Sequence, residues 1–227
     1  MMELSPGAVR MGAAGIAALV ALAVVPAVTT RTDILNVLIV LLISVALAES
    51  WNILGGLAGQ VNLGHAAFFG AGALVARLLW FRQVPVPLAV GAGTAAAMAL
   101  GLAIGLPAFR LRDAYFAIGT LGLAEILRIT VGNVLPVISA LPAQHVQVYS
   151  LVPRYFAALG LAAVSVGVAA ALAYSGVSYG FGAIREDEDA AAASGVGPLA
   201  HKLLAMAAST GLAGLAGGTF EIGRAHV

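Results

Sequence analysis

Seven long apolar stretches, separated by short polar segments, run along the chain. They cover Met11–Val28, Ile34–Leu54, Leu63–Leu79, Leu88–Leu106, Tyr115–Thr130, Tyr155–Tyr174 and Leu199–Phe220. A helix needs roughly 17–25 apolar residues to cross a hydrocarbon layer about 30 Å thick. The pattern therefore predicts an all-α fold, a polytopic transmembrane helical bundle with about seven spans.

Two of these stretches admit a second interpretation. Arg10 precedes the first, which could be a cleaved signal peptide, although the spans that follow favour a retained membrane helix. Tyr115–Thr130 is shorter and contains Glu125 and Arg128, which is typical of a tilted or broken helix. The next segment, Val131–Arg154, contains prolines and several polar residues, and we predict that it is mostly loop.

The composition supports a membrane protein. Hydrophobic residues make up 61% of the chain and charged residues 9%, whereas a soluble domain carries roughly 25% charged residues. Lipid is therefore the expected environment of the outer surface. The net charge of +1 provides no basic surface for nucleic acid. The chain has no cysteine, which excludes disulfides, thiolate zinc sites and cysteine nucleophiles.

Glycines at four-residue spacing indicate where helices approach each other closely. Small residues at such positions let helix backbones pack tightly in lipid. The candidate pairs are Gly55/Gly59, Gly101/Gly105 and Gly214/Gly218. Together they favour a tightly packed bundle.

Charge is concentrated at one place, Arg185-Glu186-Asp187-Glu188-Asp189, which is followed by four alanines, Ser194 and Gly195. Alanine favours helix, acids in the first turn suit the positive end of the helix dipole, and glycine commonly ends a helix. This pattern predicts a short surface helix over residues 184–195. Its small side chains would fit a groove on another protein, and an ordinary solvated loop is the alternative.

Three ordered stretches resemble one family. Trp51–Gly70, Leu111–Arg128 and Gly182–Gly217 are similar to segments of branched-chain amino-acid ABC transporter permeases of the LivM type. The last of them looks like the EAA-type coupling region of that family. The resemblance covers most of residues 45–220.

The resemblance implies a transport subunit rather than an enzyme. In this family the loop helix docks into a groove on a cytoplasmic ATPase, which makes Arg185, Glu186, Glu188, Ala191 and Gly195 the expected coupling residues. The implied partners are two ABC ATPase subunits, a homologous permease subunit and an extracytoplasmic solute-binding protein, at the plasma (inner) membrane.

Nucleotide chemistry is expected on the partner and not in this chain. The sequence has a single lysine, Lys202, and no G-x-x-x-x-G-K-[ST] phosphate loop. We therefore expect no cofactor here, with ATP and Mg²⁺ bound by the ATPase. The resemblance also places the N-terminus and the 184–195 helix on the cytoplasmic side, which the even distribution of Lys and Arg between the loops leaves undecided.

The family pattern is not matched throughout. Val131–Ser150 does not look like the glycine-rich external loop of the family. Members of the family also usually continue for several more helices. Residues 221–227 resemble the translation of a sequencing-library adapter. We therefore expect the permease domain to cover residues 1–220, followed by a non-native tail, with the natural protein cut off near Phe220.

Polar residues within apolar surroundings are the candidates for a substrate path. They are Glu49, Asn52, Gln60, Asn62 and His65. Intramembrane polar groups tend to be paired or functional, so hydrogen bonding between helices is the alternative for each of them. Gln60 and Asn62 lie in a glycine-rich stretch, Gly55–Gly64, and His65 follows it directly. We expect this stretch to be an interrupted helix at a midplane cavity.

Other functions remain open at the level of the residues. Permeases for urea or another small polar solute are the nearest alternative. An ion-coupled secondary transporter would use Glu49 and Glu125, although Glu125 and Arg128 could simply pair. Gly176-Val177-Ser178-Tyr179-Gly180 matches the G-x-S-x-G pattern of a serine hydrolase, which requires a preceding strand. His65 and His201 lack a second ligand nearby, so no metal site is expected.

Overall fold

The computed structural model describes residues 6–29, 31–111, 113–134 and 151–224. The helices are α1 Pro6–Val28, α2 Thr32–Asn52, α3 His65–Phe81, α4 Val86–Ala108, α5 Asp113–Val134, α6 Leu151–Ala173, α7 Val177–Glu186, α8 Glu188–Ala193 and α9 Pro198–Arg224. A π-helical turn, Ile53–Leu57, follows α2 directly. The described residues contain no strand, which confirms the all-α prediction.

Every predicted apolar stretch is helical, but some boundaries were wrong. Arg154 and the three residues before it were predicted to be loop and instead form the first turn of α6, where Pro153 is tolerated because first-turn N–H groups have no helical partner. Helix α5 likewise extends to Val134, and residues 135–150 lie outside the described part. Helix α4 continues past Pro107 for one residue.

Four helical segments of the described chain are long and apolar enough to cross a membrane: Thr32–Leu57, Val86–Ala108, Leu151–Ala173 and Pro198–Glu221. Two shorter apolar helical segments, Gly15–Val28 and His65–Phe81, accompany them. The chain is therefore a multi-pass helical membrane protein. Helix α5, which contains Glu125 and Arg128, belongs to neither group, and the number of seven spans stays a prediction.

Helix α9 is the centre of the bundle and packs most extensively on α3 and α4, while α2 packs mainly on α6. Backbone contacts through glycine hold α9 in place. A Cβ atom on Gly217 would lie 2.0 Å from the carbonyl oxygen of Phe69 in α3, and one on Gly214 would lie 2.3 Å from Cβ of Ala97 in α4. Side chains at these positions would push the helices apart, so the sequence's small residues determine the helix spacing.

Two of the three predicted glycine pairs are at helix contacts. Gly101 and Gly105 of α4 face Thr210 and Met206 of α9, and Gly214 and Gly218 face α4 in return. The prediction was wrong for the third pair. Gly55 lies against the ring of Trp51 in its own helix, and Gly59 lies outside any helix. Gly55 and Gly59 have the four-residue spacing of a helix contact, but the helical segment ends at Leu57, between them.

The end of α9 crosses the boundary predicted at Phe220. The helix continues through Arg224, and Glu221 forms a half-buried ion pair with Arg77 of α3. The division into residues 1–220 and a tail stays a prediction.

Candidate coupling site and interrupted helix

The acidic segment forms the ends of two helices. Asp187 is extended (φ −158°, ψ 112°), and its Oδ1 accepts hydrogen bonds from the backbone N–H groups of Asp189 (2.9 Å) and Ala190 (3.0 Å). Asp187 is therefore the N-cap of α8. The single helix predicted over 184–195 was wrong, because this cap divides it. Arg185 and Glu186 lie in the last turn of α7.

Helix α8 ends where the sequence predicted. Gly195 has φ +88°, a conformation that glycine adopts without steric strain. Its N–H donates to the carbonyl of Ala192 (3.0 Å), and the N–H of Val196 donates to that of Ala191 (3.1 Å). These two bonds form a Schellman motif. The caps at both ends stabilise α8, although its six residues make only about one and a half helical turns.

A buried ion pair connects α8 to the core of the bundle. Nζ of Lys202, in the first turns of α9, donates to Oε2 of Glu188 at 2.6 Å, and the lysine is 1% exposed. The same ammonium lies 5.8 Å from the ring centre of Phe109, at the end of α4. Sequence reasoning recorded Lys202 only as the single lysine and missed this role. A lone lysine in an apolar helix, 14 residues after a glutamate, was the available signal.

Burial divides the residues of α8 into two faces. Ala191 is 4% exposed and packs toward the bundle, on the same side as Glu188. Ala190 and Ala193, three residues apart, are exposed, as is Asp189. Ala191 was predicted to be a coupling residue, but its side chain is not on the surface that α8 presents to a partner. The exposed face consists of small residues and one acid.

The glycine-rich stretch that was predicted to be an interrupted helix, Gly55–Gly64, forms the end of the π-helical turn and the connection to α3. The π-helical turn Ile53–Leu57 is followed by non-helical residues up to α3, and Gly59 has φ +72°. We call residues 53–64 the break. Its backbone is held by side chains, since Trp51 Nε1 donates to the carbonyl of Asn62 (3.0 Å) and the N–H of Leu63 donates to Oγ1 of Thr120 in α5 (3.2 Å).

The break lies at the end of the bundle where α7 and α8 lie. Nη1 of Arg185 donates to the carbonyl of Gly56 at 3.1 Å. The helical segment Thr32–Leu57 has 26 residues, or about 39 Å at 1.5 Å per residue. It is therefore long enough to cross a hydrocarbon layer about 30 Å thick. The expectation of a midplane cavity stays a prediction, because glycine content indicates an irregular backbone but not its depth in the membrane.

The candidate path residues make mostly local contacts. Asn52 Nδ2 donates to Oε2 of Glu49 at 3.3 Å, within α2, and Gln60 Nε2 donates to the carbonyl of Ala58 at 3.3 Å. Asn62 is 1% exposed, and its Oδ1 accepts from the N–H of Gly64 (2.8 Å). Its Nδ2 has no hydrogen-bond partner among the described residues. Their role in a substrate path stays a prediction.

His65 is fixed at the start of α3. Its Nε2 lies 2.7 Å from Oγ of Ser50, and that hydroxyl donates to the carbonyl of Leu47 at 2.9 Å. Ser50 therefore connects His65 to α2 through these two hydrogen bonds. Within the described residues, no group of three or more His, Cys, Asp or Glu residues could hold a metal ion.

Two other predictions can be compared with the structure. Arg128 donates to Glu125 through Nε (2.8 Å) and Nη2 (2.6 Å), so the predicted pair is confirmed, and it is exposed on α5. Ser178 lies in the first turn of α7 and donates to the carbonyl of Ser175 (2.8 Å). Helix α6 precedes it, whereas a nucleophile elbow requires a strand.

The described helices thus form a membrane bundle with the short capped helix α8 and the break at one end. Residues 33–226 match the family described as branched-chain amino acid transport system / permease component. The chain belongs to this family.

Two curated relatives are similar to the chain. Both are the high-affinity branched-chain amino acid transport system permease protein LivM, one from Escherichia coli (strain K12) and one from Salmonella typhimurium (strain LT2). The first is 30% identical over 218 residues and the second 30% identical over 219 residues, and each alignment covers 79% of this chain. The chain spans about half the length of these relatives, 50% in each case. No solved structure gives a significant match.

Proposed function

We propose that this chain forms part of the membrane path of an ATP-driven importer for branched-chain amino acids in the plasma (inner) membrane. The observation that carries the proposal is the match to the permease family over residues 33–226. The importer would contain two ATPase subunits, a homologous permease subunit and an extracytoplasmic solute-binding protein. The chain itself is a transport subunit, and ATP and Mg²⁺ bind to the ATPase.

The geometry of α8 supports an ATPase-docking role. Its caps fix the helix, and its exposed face offers Ala190 and Ala193, whose small side chains allow close approach of another protein. Its opposite face is attached to α9 through Glu188 and Lys202. A force applied to α8 therefore reaches the central helix of the bundle directly.

Uptake in membrane vesicles tests the proposed function. Vesicles containing the importer, assembled from this gene and the ATPase and binding-protein genes of the same source, are expected to accumulate labelled leucine, isoleucine and valine when ATP is supplied. A partner ATPase that cannot hydrolyse ATP is the control. Uptake driven by a proton or sodium gradient without ATP would contradict the proposal, and uptake of urea in place of leucine would contradict the substrate class.

The docking role of α8 predicts a specific loss of ATPase binding. Ala193→Trp places a bulky ring on the exposed face and is expected to reduce co-purification of the ATPase by about tenfold, a change of about 1.4 kcal/mol in binding free energy. Membrane insertion should be unchanged, because the side chain at position 193 is exposed.

Leu88→Trp is the matched control, since Leu88 is 65% exposed near the start of α4, at the other end of the bundle. It should leave ATPase binding unchanged. Normal co-purification by the Ala193→Trp variant would show that α8 does not dock the ATPase.

A further inference from the structure

Arg185 lies between the proposed docking helix and the break. It occupies the last turn of α7, two residues before the N-cap of α8. Its guanidinium donates to the carbonyl of Gly56 at 3.1 Å. The last carbonyls of a helix lack the donors that a further turn would supply, so this bond satisfies an acceptor at the point where α2 is interrupted.

Gly59 is in direct contact with the stem of Arg185. A Cβ atom on Gly59 would lie 2.6 Å from Cγ of Arg185 and 3.2 Å from its Cα. The φ of +72° at Gly59 also favours glycine. The break therefore touches both the side chain and the backbone of α7, and no larger residue fits between them.

The break combines non-α-helical backbone with a high glycine content. It contains Gly55, Gly56, Gly59 and Gly64, and the buried Asn62 Nδ2 has no hydrogen-bond partner among the described residues. A buried unpaired donor is unfavourable, so an arrangement that pairs or hydrates Asn62 Nδ2 would remove this local cost. On its far side the break contacts α5, where Gly64 approaches the carbonyl of Thr120.

The ion pair between Glu188 and Lys202 connects α8 to the closely packed helix α9. Helix α9 in turn packs on α3 at Gly217 and on α4 at Gly214. When α8 is displaced, the packed helices resist, whereas the glycine-rich break can absorb changes in backbone dihedrals as hinge segments do.

We infer that Arg185 is a positioning residue that transmits movement of the α7–α8 unit to the interrupted end of α2. The inference rests on the proposed function, because it requires an ATPase that moves α8. It identifies the broken end of α2 as the element that changes conformation when nucleotide binds.

Thiol labelling in the complete importer tests the inference, since the chain has no native cysteine. Gln60→Cys places a half-buried thiol in the break. Trapping the ATPase with ATP and vanadate is expected to change the labelling rate of this thiol by about tenfold, and in the Arg185→Ala background by less than about twofold. Arg31→Ala is the control, because Arg31 is an exposed arginine that pairs only locally with Asp33.

The outcomes separate the inference from the proposed function. If nucleotide leaves the labelling unchanged even with Arg185 present, while the ATPase is bound and active, the break does not move and the inference fails. If the complex does not bind an ATPase at all, the proposed function fails. A nucleotide-dependent change that is equally large with and without Arg185 would also overturn the inference.

A merely structural role for Arg185 would lower the yield of the complex but preserve the nucleotide response of the molecules that assemble. Should the Arg185→Ala chain not accumulate, Arg185→Met keeps the stem that packs on Gly59 and removes the hydrogen bond to Gly56 together with the exposed ion pair to Glu186. The same loss of nucleotide response is expected from it. A full response in that variant would contradict the inference.

Discussion

Alanine in place of Gly217 is expected to lower the free energy of unfolding by about 3 kcal/mol or more, at the upper end of the range for overpacked sites. The added Cβ would lie 2.0 Å from the carbonyl oxygen of Phe69 and 3.0 Å from the N atom of Ala73. Both are backbone atoms of α3, so no side-chain rotation can relieve the contact. The two helices must separate, and the loss of close packing extends along α9.

Unfolding in mixed detergent micelles, followed by the fluorescence of Trp51 and Trp80, measures this effect. Gly160→Ala is the matched control, because nothing lies within 4 Å of a Cβ at Gly160 in α6. Alanine there should stabilise the helix by up to about 1 kcal/mol, since glycine is the poorer helix former. The same substitution is thus expected to have opposite signs at the two positions. Equal effects would show that α3 and α9 are not in backbone contact.

Glu188→Ala is expected to lower the free energy of unfolding by about 3 kcal/mol, near the lower end of the range for a broken buried ion pair. The substitution leaves the ammonium of Lys202, 1% exposed, without its carboxylate. The side chain of Glu188 is itself 27% exposed, which moderates the effect through solvent screening. The variant should also weaken the attachment of α8 to α9.

Glu125→Ala provides a matched comparison. The Glu125–Arg128 pair has the same N–O distance of 2.6 Å, but its side chains are 52% and 72% exposed. Removing it should change stability far less than Glu188→Ala does, because solvent screens an exposed pair. Adding Lys202→Met to Glu188→Ala removes the buried charge and should restore at least half of the lost stability. Failure of this second substitution to restore stability would show that the buried charge is not the cause.

The long helices could be predicted from the sequence with only short boundary errors, whereas the division of the acidic segment between α7 and α8 could not. Runs of apolar residues long enough for a bilayer form helices because unpaired backbone polar groups are strongly unfavourable in hydrocarbon. The stop at Gly195 and the Glu125–Arg128 pair were also predictable, because both depend on neighbours within four residues. Such local interactions need no knowledge of the fold.

The candidate site was predicted less completely, because its contacts join distant residues. The sequence showed an acidic segment and a glycine-rich interruption as two separate features. Only the tertiary structure brings them together, through the bond between Arg185 and Gly56, 129 residues apart in the chain. The burial of Ala191 and Lys202 depends likewise on how α8 lies against α9.

The sequence by itself therefore determined the class of fold, the positions of the long helical stretches and the resemblance to the permease family. The tertiary structure decided at which end of the bundle the break lies, which face of α8 is exposed and what neutralises Lys202. The physical reason is the range of the interactions. Hydrophobic length and helix capping act within one segment, whereas depth, burial and ion pairing depend on the packing of α9 against its neighbours.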